Sequence, residues 1–166
     1  MLPTQTNADA ARSPFQFGGA YSFGHDDGRK GASAFDGGSH ESASAHLRAL
    51  VVDDAPDVTE MIATMMRFAG YEVTTALSAT EAFDAARQDR FDVIVSDIGM
   101  PGMNGYQLAE ALRALPDYAA VPLVAVTGFT MFDDRERARA SGFDDFLTKP
   151  IRPSELLDAV KRLCTK

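Results

Sequence analysis

Five side chains of this sequence are of types that complement one another chemically: Asp53, Asp54, Asp97, Thr127 and Lys149. Three carboxylates gathered in one cleft repel each other and raise one another's pKa unless a cation joins them. A hard, oxygen-seeking divalent ion suits such a set, and Mg²⁺ would bind through one or two carboxylates and keep several waters. Lys149 would add a second positive charge and Thr127 a hydroxyl donor. Together they make an arrangement for holding a phosphoryl group, with charge on its equatorial oxygens offset while a carboxylate attacks phosphorus in line. Other chemistries lack their parts. His25, His40 and His46 all lie in or beside the first forty-five residues, so no Ser/His/Asp arrangement forms, and a lone Cys164 offers no zinc spacing. Neither a G-x-x-x-x-G-K-[ST] phosphate loop nor a G-x-G-x-x-G turn is present.

The five residues are far apart along the chain, so the elements that carry them decide whether they meet. Residues 47–53 form an apolar run ending in acids, which reads as a buried strand. Pro56 suits a first helical turn, and Val58, Met61, Ile62, Met65 and Phe68 recur at helical spacing until Gly70 stops the helix. Residues 71–76 read as a second strand, and Ser78-Ala79-Thr80-Glu81 is a capping box opening a helix through about Gln88. Residues 91–96 form a third apolar strand running into Asp97, followed by a Gly/Pro/Asn-rich loop over 98–105. Leu108, Leu112 and Leu115 mark a third helix, 123–126 a fourth strand and 132–141 a charged fourth helix. Residues 143–147 give a fifth strand, and Pro153 starts a last helix with Leu156, Val160 and Leu163 inward.

Continuous apolar strands alternating with amphipathic helices imply an α/β fold with a parallel sheet covered on both faces. Right-handed crossovers make a doubly wound, five-stranded sheet the expected solution. Asp53 and Asp54 would then end the first strand, Asp97 the third, Thr127 the fourth and Lys149 the fifth. In open α/β sheets the C-terminal strand ends line the binding crevice at the topological switch point, so the five groups converge.

Residues 1–45 read differently from 46–166. They hold seven of the thirteen glycines and no Val or Ile, so disorder is the expectation for them. Within them Phe15-Gln16-Phe17-Gly18-Gly19-Ala20-Tyr21-Ser22-Phe23 alternates aromatics with small residues, either a plain flexible tail or a short docking motif. With 166 residues, 45% hydrophobic and 24% charged, the chain suits one soluble domain with a tail. No apolar run approaches the roughly 18 residues of a membrane span, and no secretory leader pattern opens the chain. A single cysteine excludes an internal disulfide and points to the cytoplasm. The net charge of −8 argues against nucleic acid and anionic membranes as partners.

Residues 46–166 resemble the receiver domain of two-component response regulators. The resemblance rests on Val51-Val52-Asp53-Asp54, on Ser96-Asp97-Ile98-Gly99-Met100-Pro101-Gly102-Met103-Asn104-Gly105, on Ala125-Val126-Thr127-Gly128 and on Phe146-Leu147-Thr148-Lys149-Pro150. It implies a (βα)5 flavodoxin-like fold with strand order 2-1-3-4-5. It also implies that Asp97 takes phosphate from a histidine kinase or histidine phosphotransfer protein. Asp54, Asp97 and the Gly99 carbonyl would bind Mg²⁺ directly, and Asp53 mostly through water. Thr127 would bond a phosphoryl oxygen, and Lys149 would pair with the phosphate, aimed inward by a cis bond to Pro150. Phe146 matches the family's switch aromatic.

Certain positions depart from the family's commoner residues. Gly99 has no side chain to orient water and Phe129 is bulky and apolar, so slow self-dephosphorylation is expected from these two lifetime-tuning positions. Gly128 stands where alanine is commoner, and Phe146 lacks a tyrosine hydroxyl. Phosphorylation would shift the Thr127 loop and the face made by the fourth helix, fifth strand and fifth helix. The sequence stops at Lys166, right after the last helix, which suggests a stand-alone receiver. The favoured reading is a phosphoacceptor adaptor, not an enzyme, that controls an unknown downstream protein, with a phosphorylation-dependent dimer left open. A phosphate shuttle or sink is the alternative. An aspartate-nucleophile phosphatase ranks third, because position 99 lacks the second acid.

Overall fold

The structure is a computed structural model, described here for residues 46–128 and 132–165. The expectations for residues 1–45, their aromatic motif and Phe129 fall outside the described residues. Five short strands, β1 (Arg48–Val52), β2 (Glu72–Ala76), β3 (Val93–Asp97), β4 (Leu123–Thr127) and β5 (Asp145–Thr148), pair in parallel in the order β2-β1-β3-β4-β5. Five helices alternate with them: α1 (Pro56–Phe68), α2 (Ala79–Gln88), α3 (Gly105–Arg113), α4 (Phe132–Ser141) and α5 (Pro153–Cys164). Expected fold class and strand order both hold. The three central strands are nearly all buried because helices cover both faces, which is why their sequences are continuous apolar runs rather than alternations.

Two cores lie on opposite faces of the sheet. Ile62 and Met66 of α1 meet Leu156 and Val160 of α5 over Val51, Val95 and Val124. On the other face Ala82 and Ala86 of α2, Leu108 and Leu112 of α3 and Ala138 of α4 cover Leu50, Ile94 and Ala125. Helix starts follow local chemistry. Pro56 opens α1, and Ser78 accepts the Glu81 amide at 3.1 Å while the Glu81 carboxylate accepts the Leu77 amide. Asn104 and Gln107 form a full capping box at α3, which the sequence reading did not single out. Gly70 closes α1 with φ +92°, a conformation that favours glycine.

Two details differ from the apolar periodicity. Leu115 lies beyond α3, which stops at Arg113, and it leads instead into a 3₁₀ turn over Pro116–Tyr118. In α1 the buried positions are Thr59, Ile62, Ala63 and Met66, whereas Phe68 is 89% exposed and Met61 41% exposed. Two helices share that face, so only a narrow stripe of α1 is covered.

Among its described side chains α4 buries only Ala138 and Ser141. Polar contacts hold it instead: the Arg135 guanidinium lies 5.5 Å from the Phe146 ring centre, and that of Arg137 lies 4.5 Å from the Tyr106 ring centre. The Tyr106 hydroxyl also donates to Asp134 at 3.2 Å. Arg137→Ala should therefore loosen α4 by about 0.5–1 kcal/mol, seen as faster amide exchange in α4 than in α1 or α5. Equal acceleration in all three helices would contradict this account.

Candidate functional site

Parallel register aligns the ends of the strands. Val52 pairs with Ser96, Asp97 with Val126, and Thr127 with Thr148, so the C-terminal ends of β1, β3, β4 and β5 share one edge. Asp97 and Thr127 are the last residues of their strands, Asp53 and Asp54 follow β1, and Lys149 follows β5. Because the chain reverses direction across the sheet between β1 and β3, this edge opens as a crevice there.

Four of the five groups meet as expected, and Thr127 ends β4, the strand beside that of Asp97. The Lys149 ammonium donates to Asp53 at 2.6 Å and lies 3.1 Å from an Asp97 carboxylate oxygen. One carboxylate oxygen each of Asp53, Asp54 and Asp97 lies within 4.8 Å of the others. Asp53 and Thr127 are 1% exposed, Asp97 is 6% exposed, and Asp54 faces solvent. The second Asp53 oxygen accepts the Ala55 amide at 2.9 Å, and the buried Thr59 hydroxyl donates to the Asp53 carbonyl at 2.8 Å. Between the adjacent strands β4 and β5 the Lys149 amide donates to the Thr127 carbonyl at 2.8 Å, which ties the lysine to the end of β4. The Lys149–Pro150 bond is cis, as the resemblance implied. Lys149's bond to Asp53 is new, since Asp53 was expected only in a metal role.

Burial pushes the Asp97 carboxyl above its usual range; Lys149 opposes this, the Asp53 charge adds to it, and the Gly99 amide lowers it slightly. Lys149 moves up as well. Burial alone would lower it, but its bonds to Asp53 and Asp97 outweigh that. Both partners of one pair thus rise, because the ammonium answers two acids whereas Asp97 must be stripped of water.

Three carboxylates and one ammonium leave two negative charges. That charge, the all-oxygen donor set and its span fit a single hard divalent cation.

Close approach beneath the site explains a glycine. A Cβ on Gly105 would lie 2.3 Å from the Asp97 carbonyl oxygen and 2.7 Å from Ile98 Cα, both backbone atoms. Gly105→Ala should cost about 3 kcal/mol in urea unfolding and displace the loop that carries Asp97. A cost under about 0.5 kcal/mol would contradict that close contact.

Gly99 is exposed two residues past Asp97. The Phe146 ring is partly buried against the α2/α3/α4 core beneath Arg135.

A sequence model of the response regulator receiver domain matches residues 49–161. The chain belongs to this family. Its members are the receiver modules of two-component signalling and work with histidine kinases. An uncharacterized 14.6 kDa protein of Leptolyngbya boryana is 38% identical over 72% of this chain and 92% of its own length. The transcriptional regulatory protein PrrA of Mycobacterium tuberculosis is 40% identical over 70% of this chain, which spans only about half (49%) of PrrA. Among solved structures, the receiver domain of sensor histidine kinase PA1611 from Pseudomonas aeruginosa is 31% identical with TM-score 0.68. It covers 74% of this chain and 100% of its own, and carries a magnesium ion in its active-site cleft. Among the described residues of this receiver, no helix is long and apolar enough to cross a membrane.

Proposed function

We propose that Asp97 is the phosphoacceptor of this receiver. The observation that carries the reading is the position of Lys149, 3.1 Å from Asp97 and 2.6 Å from Asp53 beside a third carboxylate. One Asp97 oxygen forms the O–P bond while the P–N bond to a donor imidazole breaks, and its electron pair leaves with the nitrogen. Asp53, Asp54, Asp97 and the Gly99 carbonyl would hold Mg²⁺, which when bound offsets charge on the phosphoryl oxygens. Lys149 does the same from the β5 side, and Thr127 offers its hydroxyl to a phosphoryl oxygen.

The donor in this reading is a phosphohistidine in a kinase or phosphotransfer protein, and the protein works in the cytoplasm. It is a phosphoacceptor and not an enzyme with a separate substrate. Added negative charge shifts the Thr127 loop and the face of α4, β5 and α5, with Phe146 as the switch, and so alters binding of a downstream protein. The likeness to the PA1611 receiver, part of a sensor kinase, supports a second reading as a relay partner. Transfer back to a phosphohistidine protein would separate the two.

Incubation with Mg²⁺ and a small phosphoryl donor, followed by intact-mass measurement, tests the core of the proposal. Wild type should gain one phosphoryl group and Asp97→Asn none; equal labelling of both would sink it. Gly99 offers no side chain to orient water, so the aspartyl phosphate should be long-lived once the donor is removed. Gly99→Asn should shorten its half-life, and an unchanged decay rate would contradict that role.

A further inference from the structure

Among the described residues six polar side chains are buried: Asp53, Thr59, Ser96, Asp97, Thr127 and Ser141. Asp53, Asp97 and Thr127 belong to the site, and Ser141 donates to the Arg137 carbonyl inside its own helix. That leaves two hydroxyls. Each donates at 2.8 Å to the main-chain carbonyl of a site aspartate, Ser96 to Asp97 and Thr59 to Asp53. Ser96 reaches only its neighbour in the chain, whereas Thr59 reaches back out of α1 into the loop that carries Asp53 and Asp54.

Threonine is an odd residue for position 59. The buried stripe of α1 is otherwise Ile62, Ala63 and Met66, so an apolar side chain would pack there with no hydroxyl to satisfy. A threonine inside a helix commonly bonds the carbonyl four residues back, and that bond alone would satisfy it. Here the hydroxyl lies 3.0 Å from that carbonyl, of Ala55, and nearer, at 2.8 Å, to that of Asp53. It has one hydrogen and shares it between the two. The Ala55 carbonyl already accepts the Val58 and Thr59 amides. The Asp53 carbonyl lies past the end of β1 and before the start of α1, and the threonine is what reaches it.

These two carbonyls stand on either side of Asp54. That acid faces solvent, so packing does not fix it, and α1 opens at Ala55 with no side-chain cap. One of its carboxylate oxygens nevertheless lies within 4.8 Å of those of Asp53 and Asp97. We propose that Thr59 is a positioning residue of this carboxylate cluster: bonded to the carbonyls on both sides of Asp54, its hydroxyl holds that acid where the three can share one divalent cation. The inference rests on the reading of the cluster as a Mg²⁺ site and not on phosphorylation of Asp97. Without the hydroxyl the loop gains freedom, and a cation has to order it on binding.

Mg²⁺ titration of the full chain at neutral pH, followed by backbone amide NMR shifts, tests this. Thr59→Val keeps the shape and removes the hydroxyl, and should weaken Mg²⁺ binding on the order of tenfold. Thr59→Ala should do the same, so the loss does not depend on how valine packs. Thr59→Ser keeps the hydroxyl and should bind within about twofold of wild type. Ile62→Val, in the same buried stripe, should lower stability in urea yet leave Mg²⁺ affinity unchanged. Wild-type affinity in Thr59→Val or Thr59→Ala would overturn the proposal. An equal loss in Thr59→Ser or Ile62→Val would do so too, because the hydroxyl would then not be the cause. A wild type that binds no Mg²⁺ would overturn it together with the metal reading, which the other failures leave standing.

Discussion

Lys149→Met is expected to slow phosphoryl transfer to Asp97 by a factor on the order of 100 to 1,000, measured as the rate of mass labelling at saturating Mg²⁺. The methionine keeps most of the side-chain volume but removes the ammonium that lies 2.6 Å from Asp53 and 3.1 Å from Asp97. Charge that builds on the phosphoryl oxygens would then lose the ammonium, with the Thr127 hydroxyl and any cation held by the carboxylates left to offset it. The same change strips a cation from a 1%-exposed Asp53 and a 6%-exposed Asp97, which should cost about 2 kcal/mol of stability at neutral pH without metal. The sign of its pH dependence follows from the raised pKa of Lys149. The wild-type contribution is fully present below the ordinary value of 10.5 and is lost as pH rises through the higher folded value. The deficit of the variant should therefore close in strong alkali, and also in acid, where Asp97 becomes protonated. Labelling at the wild-type rate would remove Lys149 from the site chemistry.

Asp97→Asn should do the opposite to stability. Burial holds the Asp97 carboxyl above its ordinary pKa of 3.8, so the fold favours the protonated form. That contribution is fully present below 3.8 and is lost as pH rises through the raised folded value, which leaves an ionised, desolvated acid at neutral pH. An uncharged amide of nearly the same shape avoids this cost while Lys149 keeps its bond to Asp53. The variant should be more stable than wild type by about 1–2 kcal/mol in urea at pH 7 without metal. The advantage should vanish toward pH 3 and shrink when Mg²⁺ is added, because binding to the native wild type stabilises it by mass action. A variant less stable than wild type at pH 7 would mean that Lys149 more than offsets the burial of Asp97.

Much of this was legible in the residue order. Continuous apolar strands between amphipathic helices can be covered only from both sides, so β1 to β5 and the parallel sheet follow from composition and period. Asp97, Thr127 and Lys149 stand at or beside strand ends, where side chains escape the sheet and face the crevice, and their types name a phosphoryl site. Periodicity failed where an apolar residue is not buried: Phe68 fits the spacing of α1, yet it projects into solvent because the width of the covered stripe depends on where α5 sits. The charged helix over 132–141 was legible as a helix, but not how it docks: α4 has almost no apolar stripe among its described side chains, and its hold on the domain comes from Arg135 over Phe146 and Arg137 over Tyr106.

The sequence by itself determined which chemistry the site can do, because residue type and strand-end position are local properties. Only the tertiary structure decided how the charges divide. Lys149 bonds Asp53 at 2.6 Å and leans to Asp97 at 3.1 Å, while Gly105 leaves room for the Asp97 backbone. These are distances between elements far apart in the chain, set by how α3 and β5 dock on β3 and β4, and the spacing of residues along a sequence does not contain them.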